Sequence, residues 1–246
     1  MKEEGFFSEM FGSIQGEGIY AGVKQVFLRF GGCNLKCSYC DTPGSIRRSP
    51  YCTVYAPAGK KRFKNPLSVT QAVSQARSLC RGGHISTFHS VSLTGGEPLL
   101  QADYLCRLIP RLRKLGLGIY LETNGTLPEE LSAIVEGVGF IAMDIKPPSI
   151  TGKDMWGTCR QFLKAGAGKI FVKFVVDKKT TGAEIEKAAC LIAEVNSKIP
   201  LVLQPVSGGS LCGPDKEKII RFHGLAMKTC KDVRVIPQLH KILGFI

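Results

Sequence analysis

Short apolar runs alternate with amphipathic segments over most of this chain, and that alternation restricts the fold more than any other feature. Runs rich in Val, Ile and Phe, bounded by Gly, Pro, Asn or Asp, fall at 25–30, 89–93, 118–122, 140–145, 170–176, 201–204 and 233–236. Each reads as a strand. The runs are nearly continuously hydrophobic, as strands are when helices cover a parallel sheet. Between them lie segments of helical period at 69–80, 102–115, 128–135, 155–165, 183–196 and 214–229. In one of these, Ile185, Ala188, Ala189, Ile192 and Val195 recur at steps of three and four and form one face. Pro128 and Pro214 suit first helical turns. Repeated βα units with right-handed crossovers give a parallel sheet. The expected α/β fold is an incomplete parallel (β/α) barrel of about six units, short of eightfold closure. Residues 1–246 read as one domain, because no stretch has linker composition and no segment repeats. One part breaks the alternation. A basic insertion at 43–66, with Arg47, Arg48, Lys60, Lys61, Arg62 and Lys64, is expected to be a long loop on the functional face.

The net charge is +13, and there are ten cysteines. No apolar run reaches the ~18 residues of a membrane span, and Glu3 and Glu4 stand where a signal peptide is basic. The expectation is a soluble cytoplasmic protein without a membrane partner. In that reducing compartment the cysteines serve metal ligation, chemistry or core packing rather than five disulfides. The charge fits an anionic substrate, an acidic protein partner or a nucleic acid.

Cys33, Cys37 and Cys40 stand at C-x3-C-x2-C spacing directly after the first predicted strand. A thiolate trio on one loop can wrap a soft metal centre. Zinc motifs come as two pairs, and the other seven cysteines form no second pair. A cubane [4Fe–4S] cluster held by three cysteines leaves one iron open to a small molecule. The alternatives are three buried cysteines, or a zinc site completed by Cys52 or a histidine. Cys80, Cys106, Cys159, Cys190 and Cys230 fall in apolar helix patterns and read as core packing. Cys52 and Cys212 are candidates for a redox or secondary-cluster role.

The cysteine loop, with Tyr39 just before its last cysteine, resembles the radical S-adenosylmethionine superfamily. Thr94-Gly95-Gly96-Glu97-Pro98, ending the next strand, is similar to that superfamily's GGEP motif. The resemblance implies a [4Fe–4S] cluster on the three cysteines and S-adenosylmethionine on its open iron. Glycines suit a backbone that approaches a ligand closely, and parallel α/β sheets place ligands at the C-terminal ends of their strands.

Further motifs narrow the resemblance. Ser13-Ile14-Gln15-Gly16-Glu17-Gly18, Cys40-Asp41-Thr42, Glu122-Thr123-Asn124-Gly125 and the tail Pro237-Gln238-Leu239-His240 resemble the 7-carboxy-7-deazaguanine synthase family over nearly the whole chain. That family converts 6-carboxy-5,6,7,8-tetrahydropterin to 7-carboxy-7-deazaguanine with release of ammonia, using the cluster, S-adenosylmethionine and Mg2+. The resemblance implies that Ile14, Gln15, Gly16, Arg29, Thr94 and Glu122 bind the pterin, Arg29 at its carboxylate. Thr42 would ligate magnesium, an oxygen donor for a hard cation. Ser38, Tyr39, Asp41, Gly95, Gly96, Glu97, Asp144, Lys146 and Gln204 would hold S-adenosylmethionine. No acid or base is assigned. Asp144 and Ile145 depart from the Ser-Pro that many members carry, although Lys146 matches. Gln238 and His240 are read as docking the tail, and the terminal carboxylate of Ile246 as a contact that some members make. The resemblance also implies a flavodoxin or ferredoxin as electron donor and a homodimer. Two readings compete: a glycyl-radical-enzyme activase, which shares the cysteine loop, and an RNA-binding module with a structural metal. The second lacks an RRM signature or any paired zinc motif and leaves Thr94–Pro98 unexplained.

Overall fold

The computed structural model describes residues 3–80, 85–166, 168–206 and 213–245. In chain order its strands are β1 (Glu4–Gly5), β2 (Phe7–Ile14), β3 (Lys24–Phe30), β4 (Tyr51–Ala56), β5 (Gly59–Lys64), β6 (Leu67–Ser68), β7 (Ser90–Gly95), β8 (Gly118–Thr123), β9 (Phe140–Ile145), β10 (Ile170–Val176), β11 (Leu201–Pro205) and β12 (Val233–Val235). Its helices are α1 (Val69–Leu79), α2 (Ala102–Arg113), α3 (Pro128–Ser132), α4 (Pro148–Thr151), α5 (Trp156–Ala165), α6 (Gly182–Asn196), α7 (Lys216–Ala226) and α8 (Leu239–Leu243). Ten strands form one sheet in the order β12-β11-β10-β9-β8-β7-β3-β2-β4-β5. From β3 to β12 every pairing is parallel. A helix follows each of these strands up to β11, so the six βα units expected from the sequence are present. The sheet ends at β12 and β5 without closing on itself.

The two faces of the sheet differ in chemistry because side chains alternate along a strand. One face packs Val91, Leu93, Ile119, Leu121, Ile141, Met143, Val172, Phe174, Leu201 and Leu203 into the core shared with the helices. The other face is the inside of the open barrel. At its lower end the aromatic ring of Tyr20 meets Tyr120, Phe140 and Phe171 and fills the interior. At the C-terminal ends of the strands the inner positions are Arg29, Thr94, Glu122, Asp144, Lys173 and Gln204, and these line a cavity.

Three expectations are corrected. Residues 43–66 are not a long loop. After a short turn at Pro43–Ser45 they form the hairpin β4–β5, which extends the sheet by pairing β4 with β2. Cys52 and Val54 of β4 are buried in the main core, while β5 is an edge strand carrying Lys60, Lys61, Arg62 and Lys64, a charge pattern that discourages further strand addition. The strand β2 has no counterpart among the apolar runs of the sequence, because Ser8, Glu9 and Ser13 interrupt its apolar residues. The helix expected at 214–229 is shorter, and that expected at 128–135 divides into α3 and a single turn at Val135–Gly137. Among the described residues, no helix is long and apolar enough to cross a membrane.

If the hairpin is part of the core, Val54→Ala should destabilise the protein by on the order of 2 kcal/mol in chemical denaturation, from lost burial plus a cavity. Lys61→Ala on the exposed neighbour should change stability by less than about 0.5 kcal/mol. Equal, negligible effects would mean that the hairpin is detached from the fold.

Candidate active site

The cavity at the strand ends has a volume of about 480 Å³, within the range of small-molecule sites. Its floor is a buried charge network. Lys173 interrupts the apolar strand β10 and is 5 % exposed. Its ammonium pairs with the Glu17 carboxylate and lies 3.8 Å from Asp144 Oδ2. Lys146 Nζ donates to the same Asp144 oxygen at 2.8 Å. Burial works against the charge on each lysine, but the facing carboxylates outweigh it and raise both pKa values. Burial likewise opposes ionisation of Glu17, yet the Lys173 ammonium holds its pKa down at about 2. Glu17 and the two ammoniums thus remain charged before any ligand binds, with Asp144 set between the two lysines.

The tail closes one side. Leu239 N–H donates to the Gly16 carbonyl at 2.9 Å, and Gln238 Nε2 donates to Glu17 Oε1 at 2.7 Å and to Asp41 Oδ2 at 3.1 Å. A Cβ on Gly16 would run into His240. The tail therefore docks as expected, and Gln238 and His240 also line the cavity.

A second polar array lies toward β3. Gln15 Nε2 donates to Gln25 Oε1 at 3.1 Å and to Glu122 Oε1 at 2.7 Å, and Thr94 Oγ1 donates to Glu122 Oε2 at 2.8 Å. Gln25 Nε2 donates to Ser90 Oγ at 2.9 Å. These bonds fix the Glu122 carboxylate while leaving lone pairs for a ligand. Arg29 lies beside Glu9, its Nε donating to Glu9 Oε1 at 2.7 Å.

The cysteine loop forms the rim. Cys33, Cys37 and Cys40 line the cavity and are partly exposed. Burial pushes the Cys37 thiol up to about 11 and raises that of Cys33. The loop is clasped from β7. Gly96 N–H donates to the Phe30 carbonyl at 3.0 Å and Glu97 N–H to the Gly32 carbonyl at 2.8 Å. Gly95 has φ +122°, and a Cβ on Gly96 would strike the Gly32 carbonyl, so both glycines are needed for this approach.

Of the residues expected at the site, Ile14, Gln15, Gly16, Arg29, Cys33, Cys37, Tyr39, Cys40, Asp41, Thr42, Thr94, Gly95, Gly96, Glu122, Asp144, Lys146 and Gln204 line this one cavity. Two do not. Ser38 is exposed and is not among the lining residues. Glu97 is fully buried behind the wall, accepting from Thr123 Oγ1, Asn124 N and Leu99 N. Burial lifts its pKa to about 7, and its carboxyl ties the end of β7 to β8. Glu9, Glu17 and Lys173 line the cavity without having been singled out. A lone lysine inside Ile170–Val176 was a readable signal for the last. Cys106 and Cys190 are exposed rather than in the core, since they sit on the outer faces of α2 and α6. Cys52 is buried with its thiol pushed up to about 12 by burial, which suits packing and not redox chemistry. Cys212 and the carboxylate of Ile246 lie outside the described residues.

The Radical SAM superfamily model matches residues 28–169, more than half of the chain. The chain is 42% identical to the 7-carboxy-7-deazaguanine synthase of Geobacter sulfurreducens over 96% of each chain. It is 34% identical to that of Methanopyrus kandleri, over 97% of this chain and 93% of the relative. This chain belongs to the 7-carboxy-7-deazaguanine synthase family. The crystal structure of QueE from Escherichia coli shares the fold, with a TM-score of 0.62 at 22% identity over 97% of this chain and 96% of that one.

Membership in this radical S-adenosylmethionine family implies a [4Fe–4S] cluster and S-adenosylmethionine, and the residues fit both. Among the described residues, the group bringing three ligand atoms within 4.8 Å of one another is Glu17, Asp41 and His240, not the cysteine trio. A single tetrahedral zinc would need sulfurs about 3.8 Å apart, so the more open trio suits a larger centre. Asp144 Oδ1 and Gln204 Oε1 are buried acceptors without a partner, and both residues line the cavity. Hydroxyl and amino groups of a bound cofactor would satisfy them.

Replacing Lys173 leaves the Glu17 carboxylate without its cation, while Asp144 keeps Lys146. Lys173→Met should destabilise the protein by about 3–5 kcal/mol in urea, and adding Glu17→Gln should recover part of that loss. A depressed carboxyl pKa stabilises the fold above its unfolded value and loses that contribution as pH falls. The stability gap between wild type and Glu17→Gln should therefore be full above about pH 4.5 and vanish toward pH 2. A gap unchanged at pH 2 would contradict the pairing.

Proposed function

We propose that this chain converts 6-carboxy-5,6,7,8-tetrahydropterin to 7-carboxy-7-deazaguanine with release of ammonia, within the route to queuosine or archaeosine in tRNA. The observation that carries the reading is the meeting, in one cavity, of the cysteine loop with the Arg29 guanidinium and the fixed Glu122 carboxylate. An arginine fork matches a carboxylate at two points. Glu122, anchored by Gln15 and Thr94, suits the amino-pyrimidinone edge of a pterin, whose N–H groups need acceptors. Thr42, beside Asp41 on the wall, offers an oxygen donor to a magnesium ion.

The cluster and S-adenosylmethionine, when bound, supply a one-electron sulfonium cleavage and the carbon radical that starts the reaction. This chain's residues position the substrate and exclude water. Arg29 and Glu122 grip the pterin at opposite ends, which fixes C6 relative to the cofactor side formed by Asp144, Lys146 and Gln204. Holding two reactants in register is the main source of rate in such a reaction. The docked tail, with Gln238 on Glu17 and Asp41, walls off the cavity. That enclosure favours a small substrate over the protein substrate of a glycyl-radical activase, which needs an open groove.

The reading extends to a cytoplasmic homodimer acting on a free small molecule, without direct nucleic-acid contact, and fed electrons by a flavodoxin or ferredoxin. The turn at 45–48 hydrogen-bonds to the cysteine loop through Gly32 N to Ser45 O at 2.9 Å and Cys33 N to Ile46 O at 3.1 Å. Arg47, Arg48 and Lys36 are exposed beside it. Lys60 pairs with Tyr55 toward the other end of the hairpin, roughly 13 Å from Lys64, so it is a weaker contributor to docking than Arg47 and Arg48.

Arg29→Ala should bind carboxypterin at least tenfold more weakly, a loss of about 2–5 kcal/mol for a truncated charge pair, while still cleaving S-adenosylmethionine without substrate. Equal loss of both activities would make Arg29 structural and sink this reading of it. In the Cys33→Ala/Cys37→Ala/Cys40→Ala variant, reconstituted iron and S-adenosylmethionine cleavage should both disappear. Retention of iron would contradict the cluster assignment. Electrostatic steering is screened over about 8 Å at physiological salt. Flavodoxin-driven turnover should therefore fall steeply with salt and with Arg47→Glu/Arg48→Glu, and dithionite-driven turnover much less. The same response with both reductants would remove docking at this turn.

A further inference from the structure

We propose that Glu9 is a positioning residue that aims the Arg29 fork into the cavity and thereby sets the affinity for a substrate carboxylate. The inference rests on the reading that Arg29 receives that carboxylate. The two residues face each other across the antiparallel pair β2–β3, with Glu9 opposite Arg29 in the register. The bond between them is specific in geometry. Glu9 Oε1 accepts from Nε, at 2.7 Å, and not from the terminal nitrogens that would bind a carboxylate side by side. The guanidinium also lies 5.5 Å over the Phe11 ring, and Phe11 stacks on Phe27 at 4.9 Å and 11°. Held at Nε and on one face, the guanidinium keeps its terminal nitrogens for the cavity, which both Glu9 and Arg29 line. A carboxylate competing for the fork would weaken binding. One on Nε orders a long side chain in advance, which spares the entropy of ordering it on binding.

The backbone supports the same conclusion independently. Phe7 pairs with Phe30, on the helix-facing side, yet Glu9 pairs with Arg29, on the cavity side. Residues two apart on a regular strand share a face. The register shift between Phe7 and Glu9 breaks that rule, and such irregularities re-aim side chains. It also leaves the Ser8 hydroxyl buried without a partner. The strand thus departs from regular pairing at the one place that turns a carboxylate toward Arg29.

The test is a variant series in the reconstituted holoenzyme, with KM and kcat for carboxypterin measured separately. Glu9→Ala should raise KM about tenfold, with the effect falling on KM rather than kcat. Glu9→Gln keeps an acceptor at the same reach and should recover KM to within about threefold of wild type. Glu9→Asp keeps the charge but withdraws the acceptor, and should resemble Glu9→Ala; it also serves if the alanine variant folds poorly. A tetrahydropterin without the 6-carboxylate, used as a competitive inhibitor, should distinguish wild type from Glu9→Ala by no more than about twofold. Two results would overturn the proposal alone: an unchanged KM in Glu9→Ala and Glu9→Asp while Arg29→Ala is weakened, or an equal loss with the carboxylate-free inhibitor. If Arg29→Ala itself binds carboxypterin normally, the underlying reading of Arg29 fails and the role of Glu9 falls with it.

Discussion

The buried ammonium of Lys173 organises the site. It stands on the inner face of β10 and joins the loop at Gly16–Glu17 to Asp144 on the neighbouring strand. An isolated charge at that depth would be costly to desolvate, and so would either carboxylate alone. Together, and with Lys146 on Asp144, they offset one another, and the pairing fixes positions. Glu17 placed by Lys173 receives Gln238 from the tail, and Gln238 also reaches Asp41 in the cysteine loop. Five separate parts of the chain are thereby tied around one cavity. Asp144, held on one oxygen by Lys146, keeps its other oxygen without a partner in the protein.

The parallel sheet explains why these residues meet at all. Alternate positions on β7 to β11 face the helices and are apolar. The positions between them face inward, and near the strand ends they are Thr94, Glu122, Asp144, Lys173 and Gln204. The fold therefore separates stability from chemistry by parity along each strand. Glu97 shows the division from the other side. Its carboxyl belongs to a recognised ligand motif, yet it is spent on joining β7 to β8, while the two glycines before it clasp the cysteine loop from behind. In this chain that motif shapes the rim of the cavity.

Much of this was legible in the sequence. The apolar runs gave the parallel strands because helix-covered strands are hydrophobic on most positions, and the cysteine spacing with Thr94–Pro98 located the rim. The single polar residues within apolar runs, Arg29 and Lys173 above all, marked the inner face. What was hidden depended on pairing between distant segments. Ser8 and Glu9 disguised β2, and without β2 neither the opposition of Glu9 to Arg29 nor the docking of the hairpin β4–β5 had a basis. The basic residues of that hairpin looked like a loop because an edge strand is charged for the same reason a loop is: both face water. Cys106 and Cys190 were misread as core because a helical period alone does not tell which neighbours cover a position.

The central claim is that the cavity holds the pterin with its C6 facing the cofactor side. The most direct measurement uses carboxypterin deuterated at C6 with the anaerobically reconstituted protein, S-adenosylmethionine and dithionite, analysed by mass spectrometry. The account predicts deuterium in the 5′-deoxyadenosine formed, together with 7-carboxy-7-deazaguanine and released ammonia. Unlabelled 5′-deoxyadenosine without the deazaguanine product would contradict it.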